Sequence, residues 1–156
     1  MRASSGEVVH GIDAGASAAA RPVLLATLDV PFDEDAAAFA VDAAVEAGRP
    51  LLVVNVAQVP LAPWALLGWG YVERDALQDD LRRPAALAQA LTVPVERLRV
   101  CSPHPVDALL EVADERRPSV LVFGPDRSRL ARRAYRRAAR KVSVRAGCLV
   151  WLADAA

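Results

Sequence analysis

Short apolar runs and longer helical periods alternate along the chain. Val23–Leu28, reading VLLATL, is apolar without a break and predicts a strand buried on both faces. Asp33–Ala47 is alanine-rich and carries Asp33, Glu34 and Asp35 in its first turn, where carboxylates suit a helix N-terminus. Gly48 is placed to end that helix. Leu51–Val56 predicts a second strand, and Arg74–Leu91 a second helix kinked or restarted at Pro84. Val95–Cys101 reads as a more polar edge strand, followed by a helix over Val106–Arg116 with Val106, Leu109, Leu110 and Ala113 on one face. Val120–Phe123 predicts a fourth strand, Arg129–Arg145 a fourth helix and Cys148–Leu152 a fifth strand.

This β-α-β-α-β-α-β-α-β order predicts an α/β fold: a single open parallel sheet with helices on both faces. The 156 residues, 54% of them apolar, suit one domain with one core. Residues 1–20 are expected to be a disordered tail, leaving 21–156 as the domain. His10, Gly11 and Asp13 interrupt any apolar segment there, so the expectation is a cytoplasmic protein without a signal peptide or membrane span. Between the second strand and second helix lies a loop rich in proline, glycine and aromatics, including Pro60, Pro63, Trp64, Leu66, Leu67, Trp69 and Tyr71. It reads as a cover for the core, a lid or a subunit contact.

Ligands of open α/β sheets sit at the carboxyl ends of strands where the winding reverses. Asp29 and Gly124 directly follow the first and fourth strands, so they face each other across that crevice if those strands are neighbours. Three stretches carry a resemblance to a known family: VLLATLDVPFDEDAAAFAVDAA, DALLEVADERRPSVLVFG and RKVSVRAGCLVWL. In order and spacing they resemble the universal stress proteins, over about Arg21 to Ala153. The resemblance implies a five-stranded sheet in order 3-2-1-4-5, the adenine-nucleotide alpha-hydrolase-like arrangement. It also implies a homodimer through the last strand, here Leu149, Val150, Trp151 and Leu152.

Many members of that family bind ATP, through an aspartate after strand one and a glycine-rich loop after strand four whose amides hold the phosphates. On this chain the resemblance places a nucleotide against Asp29, Val30, Val54, Gly124, Pro125, Arg127, Ser128, Arg136 and Arg137. Asp29 and Gly124 match the pattern. Arg127 stands where the second glycine belongs, Arg136 and Arg137 stand where a glycine and a hydroxyl residue belong, and Pro125 removes an N–H. The turn after strand three, Ser102 to Pro105, also lacks the family's glycine. The expectation is a regulatory or binding domain with a degenerate nucleotide site and no cofactor, acting in stress response through dimerisation and partner contact. The alternative is a sensor that binds ATP or another adenine nucleotide with Asp29 and the loop after strand four.

Net charge is zero, with 19 basic and 19 acidic residues, but nine of the basic ones lie between Arg127 and Arg145 with no acid among them. At 100° per residue Arg129, Arg132, Arg133, Arg136, Arg137, Arg140 and Lys141 share one face of the last helix. That face reads as solvated, with Arg129, Arg132, Arg133, Arg136 and Arg140 as the candidate contact for an acidic protein. Nucleic acid fits less well, because net charge is zero and no aromatic lies on the basic face for stacking. Asp107, Glu111 and Asp114 on the preceding helix are placed to pair with the border of the basic face.

Enzyme chemistry has no footing in the sequence. His10 lies in the tail; His104 sits between prolines in the turn after strand three, at the carboxyl edge and within reach of a ligand there, with no catalytic or metal spacing around either. A receiver domain would need an aspartate where strand three ends in Cys101-Ser102-Pro103. In the implied strand order Cys101 and Cys148 stand about 19 Å apart at roughly 4.8 Å per strand step, too far for a disulfide.

Overall fold

A computed structural model describes residues 21–59 and 75–153. Among them run β1 (Val23–Thr27), α1 (Glu34–Ala47), β2 (Leu51–Gln58), α2 (Asp75–Ala90), β3 (Val95–Ser102), α3 (Pro105–Arg116), β4 (Val120–Phe123), α4 (Arg132–Arg145) and β5 (Leu149–Leu152). The strands form one parallel sheet in the order β3-β2-β1-β4-β5. The expected tail, the aromatic loop around Trp64 and Trp69, and the expected start of the second helix at Arg74 lie outside the described residues.

The unbroken apolar run of β1 has a direct cause: every residue of the strand is buried, because each face of the sheet meets helices. Leu24, Ala26, Val54, Val56 and Phe123 pack on one side with Leu109 and Ala113 of α3 and Tyr135, Ala138 and Val142 of α4. Leu25, Val53 and Val122 pack on the other with Ala36, Ala40 and Ala44 of α1 and Ala85 and Ala88 of α2. Full burial of one such large side chain is worth about 1.5–3 kcal/mol. At the edge, Trp151 of β5 stacks on Phe39 of α1 with ring centroids 4.5 Å apart.

Several boundaries differ from the sequence expectation. Helix α2 continues through Pro84 without restarting. Strand β2 runs two residues beyond Val56, pairing with β3 as far as Gln58. Helix α4 begins at Arg132, not Arg129, because Asp126 folds the preceding residues into a turn. The ladder of β1 stops at Thr27, one residue before Leu28, and that of β5 starts at Leu149 and leaves Cys148 outside. Cys101 and Cys148 lie toward opposite sheet edges, with no disulfide between them.

Candidate functional site

The tips of β1 and β4 are neighbours, as β1 pairs with both β2 and β4. Beyond β1 the chain turns sharply. Thr27 is fully buried and its hydroxyl donates to the carbonyl of Val30 at 2.8 Å. Asp29 takes a left-handed conformation, φ 53°. Its N–H donates at 3.0 Å to Oδ1 of Asn55, a buried amide in β2. Asp33 then caps α1, its carboxylate accepting from the Ala36 N–H at 2.9 Å.

The loop after β4 is stitched to this turn. Gly124 N–H donates to Ala26 O at 2.9 Å, Asp33 N–H to Gly124 O at 3.0 Å, and Asp126 N–H to Pro31 O at 2.8 Å. Phe32 and Pro125 form an antiparallel bridge across the same gap. The Asp126 carboxylate accepts from the Ser128 N–H at 2.9 Å and the Ser128 hydroxyl at 2.7 Å. Arg129 N–H closes on Asp126 O at 3.1 Å. Of the five N–H groups from Gly124 to Arg129, four therefore donate within the chain: those of Gly124, Asp126, Ser128 and Arg129.

The nine residues at which the sequence places a nucleotide do not converge. Asp29, Val30 and Arg137 line one cleft of about 560 Å³. Gly124 and Pro125 are buried beneath the stitched loops. Arg127 lies over the Tyr135 ring, 4.8 Å from its centre. Ser128 is turned into Asp126, and Arg136 lines an outer groove with Arg140 and Val144. Val54 is fully buried in the core, a correction that follows from the longer β2: the next residue on the same face, Val56, reaches the cleft instead.

The cleft lies between α3 and α4, at the tips of β1 and β2. Sequence reasoning missed part of its wall: Val56, Leu130, Ala134 and Lys141. Periodicity places such residues on a face, and only the packing of α3 against α4 brings the two faces together. Among the described residues no group of histidine, cysteine and carboxylate side chains could hold a metal ion.

Asp107 joins the two helices as the acidic stripe suggested. Lys141 Nζ donates to it at 2.9 Å and an Arg145 guanidinium N–H at 2.7 Å. The Lys141 hydrogen bond, aided by Arg145 against partial desolvation, holds its carboxyl below the ordinary carboxylate range. The stabilisation is thus present above about pH 4 and is lost as pH falls through the lowered value. With 39% of the Asp107 side chain exposed, the effect is small. Asp107→Asn is expected to cost less than about 1 kcal/mol at neutral pH and less still in acid, measured by urea unfolding at both.

The match to a family model decides the relationship: the model described as the universal stress protein family covers residues 19–153. The chain belongs to the universal stress protein family. Similar solved structures include a universal stress protein from Archaeoglobus fulgidus in complex with dAMP, 21% identical with a TM-score of 0.63, covering 85% of this chain and 96% of that one. A universal stress protein in complex with cAMP is 20% identical with a TM-score of 0.60, covering 88% and 98%. The universal stress protein UspA from Lactobacillus plantarum is 15% identical with a TM-score of 0.53, covering 86% and 99%. At these identities the likeness shows the shared fold, with its adenine-nucleotide alpha-hydrolase-like sheet. Among curated protein sequences none matches this universal stress protein.

Proposed function

We propose that this universal stress protein is a non-enzymatic regulatory module that has given up the family's main-chain phosphate cradle and acts by contact with partners. One observation carries the reading: four of the five amides that would face a phosphate in the loop after β4 already donate within the chain. A carboxylate, Asp126, sits in the same loop, and Pro125 brings no N–H. A triphosphate would have to displace those bonds and meet a like charge.

Two surfaces support partner contact. At the sheet edge, Leu149 of β5 is 71% exposed and Val150, Trp151 and Leu152 are only partly covered, which fits a homodimer that pairs this edge. On α4, Arg132, Arg133, Arg136 and Arg140 are exposed, with no acid partner among the described residues. Just before the helix, exposed Arg129 comes only to 3.9 Å of Asp126. Arg132 and Arg133 also stand at the positive end of the helix dipole, where an acidic protein segment would relieve them.

A second reading, an adenine-nucleotide sensor, is favoured by similar structures that hold dAMP or cAMP. Calorimetric titration with ATP, AMP and cyclic AMP separates the two. The expected result is no heat of binding from any of them at ligand concentrations up to about 1 mM, which leaves any binding free energy weaker than about −4 kcal/mol. Tight ATP binding that Asp29→Ala abolishes would establish the sensor instead.

A further inference from the structure

We propose that this chain docks on copies of itself head to tail, the acidic outer face of α1 on one copy meeting the basic outer face of α4 on the next. This rests on the reading of α4 as a contact for an acidic protein, and names that protein as a second copy of the chain.

Net charge is zero, yet the two signs are sorted onto different helices. Helix α1 carries Glu34, Asp35, Asp42 and Glu46 and no basic residue. Helix α4 carries seven basic residues and no acidic one. Of those seven, Lys141 and Arg145 are neutralised by Asp107. Arg132, Arg133, Arg136, Arg137 and Arg140 form no ion pair among the described residues, and neither do the four α1 carboxylates. All nine of these unpaired side chains are exposed.

The two faces match in length, spacing and polarity. Each helix has 14 residues, about 21 Å. At 100° per residue Asp35, Ala38, Asp42 and Glu46 stand outermost on α1, and Arg133, Arg137, Arg140 and Val144 on α4. Laid antiparallel with Glu46 beside Arg133, the helices also bring Asp42 beside Arg137, and exposed Ala38 leaves room for an arginine stem. The same arrangement relieves both helix ends, because Arg132 and Arg133 stand at the positive end of α4 and Glu46 at the negative end of α1. Each face also exposes a valine, Val45 on α1 and Val144 on α4, so apolar area joins the ion pairs. Helices α1 and α4 pack on opposite faces of the sheet, so one neighbour cannot cover both and the contact repeats from copy to copy. An anionic membrane or an unrelated acidic protein would answer α4 alone, whereas another copy answers α1 as well.

The test is sedimentation velocity of the full chain. Its weight-average mass should climb with protein concentration at about 10 mM salt, where the Debye length is about 30 Å, and fall back at about 1 M, where it is about 3 Å. Any pairing of β5 edges, being main-chain and apolar, should survive the high salt. Arg133→Glu with Arg137→Glu, and separately Asp42→Arg with Glu46→Arg, should each weaken the salt-sensitive association at least about tenfold. Mixed in equal amounts, the two variants should associate again, because the reversed α4 of one meets the reversed α1 of the other. A wild-type mass that ignores salt, or a mixture that stays apart, overturns the inference. Calorimetric titration with poly-L-glutamate tells the two readings apart. Binding that Arg133→Glu with Arg137→Glu abolishes, in a chain that does not self-associate, overturns docking between copies and leaves the acidic-partner reading standing. Silence toward poly-L-glutamate together with no self-association overturns both.

Discussion

Replacing Gly124 by alanine is expected to destabilise the fold by about 3 kcal/mol, with or without any ligand. A Cβ built at Gly124 would clash with the Cβ of Ala36, far inside van der Waals contact, and lie 3.7 Å from a methyl of Leu25. Ala36 is fully buried in the first turn of α1, and its backbone is fixed by the Asp33 cap. Neither partner can swing away, unlike the far end of a flexible side chain. The strain therefore falls on the packing of α1 against the sheet and on the Asp33–Gly124 hydrogen bond.

The companion variant isolates the cause. Ala36→Gly alone costs about 1 kcal/mol in helix propensity, plus about 0.8 kcal/mol for one buried methyl group. In the double variant the clash is gone, so the cost should fall back toward that of Ala36→Gly, with a coupling of about 2–3 kcal/mol. Urea unfolding of the four proteins measures it. Strict additivity would show that Gly124 is there for some reason other than α1. The consequence for function is direct: in this chain the glycine after β4 is required by helix packing, so its presence is no sign of a phosphate nearby.

The same residue shows how far sequence could reach. The alternation of apolar runs and helical periods carries the element order, because burial on both faces leaves no other pattern for β1, β2 and β4. The order 3-2-1-4-5 came from the family resemblance and stands in the sheet pairing. The stitching of the two loops was not legible. It depends on backbone bonds such as Asp126 to Pro31, which no side-chain pattern records. Arg127 was legible as a substitution for glycine, but its place over Tyr135 needs the register of α4 against β4. The cleft escaped for a related reason: Val56 was read as the last residue of β2, and the two further residues of that strand set which valine reaches the tip.

One signal was present and went unread. Asn55 is a lone polar residue inside LLVVNV, and a buried amide in a strand must find a partner. Its Oδ1 holds the N–H of Asp29 and so fixes the left-handed residue that turns the chain away from β1. Asn55→Ala and Asn55→Leu should each cost about 2 kcal/mol, since both remove the acceptor while only alanine leaves a void. The sharper readout is local. In wild type the Asp29 amide should exchange slowly with solvent, and in either variant it should exchange about tenfold or more faster while the β1 amides stay protected. The Asp29 and Val30 wall of the cleft would loosen with it, because those residues follow directly from the turn that Asn55 pins. An Asp29 amide that already exchanges as fast as an open loop in wild type would mean that the bond to Asn55 does not hold the turn, and that the cleft takes its shape from α3 and α4 alone.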